Sequence, residues 1–572
     1  MKKTILIIAV FIFNFSLFGQ IDKSELDRST SFSSKEKTLL QTNTDVVIAG
    51  EYLYYKLFTI ANNNTLSPIS KVGYVELVNA NKEVVLSHKL KLNNGVGYSD
   101  FFIPSKVLTG LYKLVGYTNF SKNNVNESYF AKDIFIVNPF TANAQITQDS
   151  LRITASLNLK KELPTESIPH PLLSVSTSKK KYSQRELISV NIAINDKIKN
   201  GNYSVSIRKL DSIEVVRPNS KNYFSMSPSD TLYIPEMRGQ LISGRLTNIT
   251  NTLDISDKYV ALSLPGEDYT FKIAKTNSNG AFFFNLNENS NSSGAIIQVI
   301  EKNKEDFKVE TQPLGTNNYN ALTFGNLIID SKLKHTIEAR NIQNQIENAY
   351  YEKKQDSIIP DTRSTLFYDG IGIKHKLDDY TRFKTLRETF IEIVNQAGLR
   401  QNSDGSYKFV VYDNVINYDL ISSKLEPLLL VDGIIIQNTN DIVFYDAKKI
   451  KSISVVKGQY IYGSKVFEGI IDIQTLSQDF KTSVKGSYLI EKELKKLEPK
   501  KNYFQPHYSN SDLKNNRIPD YRRQLLWVPE TSKSETLFKT YTSDVKGVFE
   551  VKLEGVNHLG TLISTSTFIE VK

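Results

Sequence analysis

From Thr42 onward apolar and polar positions alternate in short bursts: V-V-I-A-G-E-Y-L-Y-Y-K-L-F-T-I at 46–60, V-G-Y-V-E-L-V at 72–78, E-V-V-L-S-H-K-L-K-L at 83–92, G-Y-S-D-F-F-I-P at 97–104 and G-L-Y-K-L-V-G-Y-T-N at 110–119. N-N-N, N-A-N-K and N-N-G lie between them, so the pattern predicts antiparallel strands in a β-sandwich over 41–140. The bursts at 151–159, 171–177, 187–194 and 201–210 predict a second sandwich over 141–236. A third is expected over 237–312, where Gly280 turns a hairpin in T-N-S-N-G-A-F-F-F with its aromatics facing inward.

After Ile328 the period changes. Leu333, Ile337, Ile342, Ile346 and Tyr350 recur near helical spacing, which predicts a helical connector over 313–360, ended by Pro360. A clearer helix is expected over 377–399, with Thr385 as its cap, Glu388 closing the capping box, and Leu386, Phe390, Ile391 and Val394 on one apolar face. Then come a hairpin at 406–414, a strand at 428–431, the turn Asp432-Gly433 into 434–436, and a strand at 449–456 that Gly458 ends. Tyr462-Gly463 turns the chain and 469–475 returns as a buried strand. Residues 479–572 predict a closing sandwich, with a hairpin made of 541–547 and 548–555 and with Trp527 packed in its core.

Lys2 and Lys3 followed by the apolar run Ile5 to Phe18 predict a secretory signal peptide over 1–19, cut ahead of Gln20. Residues 20–40 are polar and read as a linker. No other segment approaches eighteen apolar residues, so no transmembrane segment of its own is expected after signal cleavage. The absence of cysteine removes disulfides, thiol nucleophiles and an acylated N-terminus. A net charge of +10 arises from 71 Lys and Arg against 61 acids dispersed along the chain. A nucleic-acid binder would gather that charge on one face, so no nucleic-acid partner is expected.

Three resemblances follow from these residues. G-E-x-L-Y-Y-K at 50–56, with F-x-I-P and G-x-Y-x-L-x-G-Y-T over 101–118, resembles a macroglobulin-type domain, although the thioester by which that family traps proteases needs a cysteine that is absent here. Residues 238–310 resemble the carboxypeptidase-regulatory-like module. Val431-Asp432-Gly433, Ile453 to Gly458, Tyr462-Gly463 and Gly469 to Thr475 resemble the plug domain of TonB-dependent outer-membrane receptors, with Glu468 where plugs usually carry Asn. Within that resemblance Asp432, Gly433, Gly458, Tyr462, Gly463 and Gly469 are structural motif residues of a plug-like domain over 361–478. Fewer than a hundred residues follow Thr475, whereas a receptor barrel takes over twenty strands of about ten residues each, so a plug without its own barrel is expected. Together with the C-terminal segment, the pattern resembles exported Bacteroidota proteins that string such modules together.

The expected fold class is therefore mainly β: immunoglobulin- or macroglobulin-like sandwiches with one α+β plug-like domain. The sequence carries no recognisable catalytic motif. The 6 His show no metal-ligand spacing, and there is no nucleophile elbow, phosphate loop or dinucleotide fingerprint, so neither cofactor nor metal is expected. The sequence reads as a non-catalytic exported protein of the periplasm or outer membrane, docking its plug-like domain on a separate outer-membrane barrel or a transport or secretion complex. A surface binding protein for peptide or glycan, and a cryptic hydrolase, are the alternatives.

Overall fold

The alternating segments fold as strands, and the protein is mainly β. The structure is a computed structural model. It describes residues 36–572 except 125, 146–153, 161, 165, 218–220, 226–232, 251–252, 287–293, 312–316, 361–365, 369–370, 413–424, 481–484 and 532–534. The expected signal peptide and residues 20–35 of the expected linker lie outside the described residues. Two units form, one from 240–316 with 361–496, the other from 29–239 with 317–360 and 497–572. Among the described residues no helix is long and apolar enough to cross a membrane.

In the larger unit the first sandwich packs a three-stranded sheet, Glu36–Thr42, Tyr52–Ala61 and Val96–Phe102, against a sheet built around Val72–Val78, Gly110–Tyr117 and Tyr129–Val137. Leu57, Val75, Leu77, Leu114 and Ile134 share its core. Glu36–Thr42 begins inside the segment read as a linker, which corrects that boundary. Its inward positions include Glu36 and Thr38, so no apolar alternation marks the strand. Their polarity is absorbed by hydrogen bonds: Ser70 and Thr118 donate to Glu36 Oε2 at 2.6 Å each, and Thr38 donates to the Gly116 carbonyl at 2.6 Å.

The second and closing sandwiches of the sequence reading are one. Leu187–Ile194 lies between Leu173–Thr177 and Glu535–Tyr541, and Asn202–Lys209 between Gln524–Thr531 and Gly547–Val556. One core joins Ile188, Val190, Val205 and Ile207 to Leu526, Val551, Leu553 and Ile569. Strands adjacent in sequence usually pair, and that tendency misled the segmentation. The C-terminal hairpin consists of Gly547–Val556 with Leu562–Val571, not of 541–547 with 548–555. The expected connector is also a packed element. Asn326–Ile329 pairs in parallel with Thr154–Leu159, and helix α1, Lys334–Ala349, lies beside them. Leu333 and Ile337 enter the core, but the inward stripe continues through Arg340, Asn344 and Asn348, leaving Ile342 exposed.

In the smaller unit a three-stranded sheet, Ala281–Leu286, Gln240–Asn248 and Phe307–Thr311, packs on Thr270–Lys275, Tyr259–Leu264 and Gly294–Val299. Leu489–Glu493, assigned from sequence to the closing sandwich, completes the second sheet beside Gly294–Val299. Phe282 and Phe284 do point inward, yet the strands on either side of Gly280 belong to different sheets, so the expected hairpin is a corner between layers. The remainder is α+β, a five-stranded sheet in the order Ile373–Lys376, Ile450–Val456, Ile470–Thr475, Leu428–Val431, Ile434–Ile435. Its helix α2 runs only from Leu386 to Glu392. Thr385 and Glu388 make the expected capping box. Leu386, Thr389, Phe390 and Ile393 face the core, and Ile391, off that stripe, is exposed. The expected helix stops short of 399 because Ala397–Gln401 pairs as a strand with Tyr407–Val411.

Candidate functional site

Two places collect side chains whose arrangement bears on function. The first is the α+β sheet. Period two splits its strands cleanly. Leu429, Val431, Ile453, Val455, Ile471 and Ile473 pack beneath α2, while Leu428, Leu430, Val456 and Ile470 pack on Ala261, Tyr269 and Phe271 of the neighbouring sandwich. Both faces are thus covered by the chain itself, which explains the unbroken apolar runs L-L-L-V and I-I.

The motif residues sit at its corners. Asp432 (φ 48°) and Gly433 (φ 85°) form a tight turn with both central residues left-handed, the geometry suited to a two-residue hairpin. A Cβ at 433 would stand 2.3 Å from Tyr269 Cγ. The Asp432 carboxylate fastens the turn, accepting from the Thr475 backbone at 2.8 Å, the Thr475 hydroxyl at 2.6 Å and the Phe480 backbone at 3.2 Å. Gly469 (φ 84°) backs onto the Val456 carbonyl, 2.5 Å from where a Cβ would stand. Gly458 follows Ile450–Val456, and Gly463 tips the hairpin Tyr460–Tyr462/Lys465–Phe467. The Tyr462 hydroxyl donates to the Phe271 carbonyl at 2.5 Å. Each of the six serves a turn or a packing contact. Around the rim, Phe444, Ile391 and Ile461 stay 63%, 60% and 71% exposed. Tyr407 meets Phe444 edge-on at 5.8 Å, with the Arg387 guanidinium 5.7 Å from the Tyr407 ring.

The second place is a cleft of about 170 Å³ in the larger unit. One wall is α1 with the turn after it. The other carries Tyr52 and Tyr54, Tyr503, and the start of Gln524–Thr531 with Trp527. Ser206 pairs with Trp527 across two strands, and Arg208, two residues on, projects from the same face. Between these pairs a bulge at Leu525 lets Leu525 and Leu526 both turn to the core. Trp527 is 4% exposed but does not join the sandwich core; its ring lies 5.8 Å from Tyr54, which meets Tyr503 edge-on at 5.2 Å. The sequence reading, which put Trp527 in the closing core, is corrected here. A larger cavity of about 350 Å³ shares Asn43, Arg208 and Trp527 with the cleft.

Charge along these walls is almost fully matched. Arg340, 1% exposed, grips Glu51 through Nε at 2.7 Å and Nη2 at 2.6 Å, and reaches Asp211 at 2.8 Å. Burial pushes the Glu51 and Asp211 carboxyls up, but the Arg340 guanidinium holds both below the usual carboxylate range. Arg523 also binds Asp211, Arg522 forks onto Asp520, Lys354 holds Glu347 at 2.6 Å, and Lys501 lies 3.9 Å from Asp356. Alone among the cleft's arginines, Arg208 makes no side-chain hydrogen bond or ion pair among the described residues. Burial, then the like charge of Arg340, push its pKa down to about 10 against the opposing charges of Asp211 and Glu51, with Arg523 adding to the fall. Arg523 Nε and Trp527 Nε1 are likewise buried without an acceptor among the described residues. Of these residues only Trp527 is singled out in the sequence, and there as a core residue. The alternation in Ser204, Ser206 and Arg208 marks a polar face, but what faces it is supplied by residues distant in sequence on both sides, from Gln41, 163 positions before Ser204, to Glu554, 350 positions after it.

No family model matches the chain, and no characterised protein matches it in sequence. Among solved structures, Salmonella alpha-2-macroglobulin reacted with methylamine aligns with 94% of this chain and 39% of its own length at 9% identity, with a TM-score of 0.23. Escherichia coli alpha-2-macroglobulin activated by porcine elastase aligns with 94% of this chain and 44% of its own at 9% identity and the same 0.23. The Yersinia pseudotuberculosis adhesin InvE aligns with 48% of this chain and 57% of its own at 12% identity, with a TM-score of 0.12. The chain spans about two fifths of the macroglobulins' length. At these scores the alignments carry no inference about activity.

Proposed function

We propose that the protein is a non-catalytic, exported component of the cell envelope that docks its α+β part on a separate outer-membrane β-barrel or an envelope transport or secretion complex. The observation that carries this reading is the division of apolar surface there. Both sheet faces are covered by the chain itself, and Phe444 and Ile391 remain outside beside Tyr407 and Arg387. Exposed aromatic and aliphatic anchors with an adjacent arginine have the composition of a contact surface rather than of a solvated face. A photo-crosslinking residue placed at 444 or 391 is expected to capture, in intact envelopes, a partner whose gel mobility changes on boiling, as a barrel's does. Recovery of the protein as an uncrosslinked soluble monomer would overturn the proposal.

A second reading, a binding protein, is favoured by the aromatic cleft of the larger unit. Rings, amides and charges converge there around an open space large enough for a small ligand.

A further inference from the structure

We propose that Arg208 and the aromatic wall around Trp527 form a binding site for a small organic carboxylate, its charge paired with the Arg208 guanidinium and its apolar or ring body set against the aromatic side chains. The inference rests on the second reading above and adds to it the charge and chemical class of the ligand.

The charge ledger leads there. Each acid on the cleft wall lies within reach of a cation: Glu51 of Arg340, Glu347 of Lys354, and Asp356, at 3.9 Å, of a Lys501 that also binds Asp100 at 2.7 Å. Arg522 binds Asp520 and Arg523 binds Asp211, whereas Arg208, half-buried where two cavities share lining residues, contacts no acid and feels Asp211 and Glu51 only through space. A cation withdrawn from water without a partner is costly, and an anion that enters recovers that cost through a charge-assisted, two-pronged hydrogen bond. Guanidinium geometry suits a planar carboxylate better than a spherical ion. The second observation is the set of idle donors. Arg523 Nε and Trp527 Nε1 lack acceptors on the walls of the cleft, whereas the unpartnered acceptor nearby, Gln41 Oε1, lies on the adjoining cavity. Their common need is an acceptor. The third is shape. About 170 Å³ is the room of five or six water molecules, enough for a carboxylate on a ring or a short apolar body and too little for a folded partner. Tyr54 and Trp527 offer that body a surface to lie against.

A peptide C-terminus and an acidic sugar share this chemistry, and the test separates them. Trp527 is the chain's single tryptophan, so its intrinsic fluorescence reports on the cleft without labelling. The full-length protein would be titrated with N-acetylphenylalanine and its amide, and with glucuronate and glucose. A saturable change in Trp527 emission is expected with at least one acid, at a concentration about tenfold or more below that needed for its neutral counterpart. The first pair responding assigns a peptide terminus, and the second an acidic sugar. Arg208→Gln is expected to abolish the preference for acid over neutral probe and Arg208→Lys to weaken it. The comparison of acid with neutral probe on the unaltered protein needs no variant, so misfolding of Arg208→Gln leaves it decisive. Equal titration by acid and neutral probe would overturn the charge assignment while keeping a binding cleft. No saturable change with any of the four probes would overturn both.

Discussion

Asp472 is a carboxyl placed where water cannot reach it. It lies on the sheet face turned toward the sandwich and accepts a hydrogen bond from the Tyr368 hydroxyl, with Tyr269 also beside it. Burial raises its pKa from 3.8 to about 6, against the lowering effect of the tyrosines, and nearby Asp432 adds to the rise. Between about pH 4 and pH 6 the folded chain therefore keeps a proton that the unfolded chain has released, and stability falls as pH rises through that window. Asp472→Asn keeps an acceptor for Tyr368 and removes the titration. It is expected to be more stable than the unaltered protein above pH 6, by roughly 3 kcal/mol, and to match it near pH 4, as read by denaturant melts. Lys56 has the opposite sign. It is wholly buried, with Asn202 Oδ1 at 2.5 Å, and burial pulls its pKa from 10.5 down to about 7 despite Glu530 and Glu554. Here the unfolded chain holds the extra proton, so stability rises with pH between about 7 and 10.5. In Lys56→Met that rise should disappear.

At the scale of elements, the short-range signals proved readable and the long-range ones did not. The Thr385 and Glu388 capping box and the Asp432-Gly433 turn are written in a few adjacent residues, and each occurs where the sequence reading put it. The helices were harder because helical spacing alone does not say which apolar residues face inward. Ile342 and Ile391 fit the spacing and are exposed, while Arg340 takes an inward position that looks solvated in sequence. The merged sandwich could not be read at all, since nothing in Leu187–Ile194 indicates that its neighbour is Glu535–Tyr541. The candidate cleft shares that fate, because Arg208 and Trp527 meet only through this pairing. A chain ending before Gln524 is expected to lose hydrogen-exchange protection in Leu187–Ile194 and Asn202–Lys209 while keeping it in Val72–Val78 and Gly110–Tyr117. Equal protection in all four strands would show that the two halves of this sandwich fold without each other.

The whole molecule comprises two units with separate cores, each assembled from segments distant in sequence. Calorimetry is expected to resolve two transitions. Asp472→Asn should move only that of the smaller unit, and a substitution at Lys56 only that of the larger. A single transition shifted by both variants would mean that the two units melt together. The merged sandwich also sets an order of events during synthesis. Ser204 hydrogen-bonds the carbonyl of Glu554, 350 positions later. Leu173–Thr177 and Leu187–Ile194 can pair with each other as they emerge from the ribosome, but Asn202–Lys209 emerges without either of its neighbours and waits some 350 residues before its sheet can close. For that interval Asn202–Lys209 presents bare edges to any other chain nearby, and its safe passage depends on a holding chaperone or on speed.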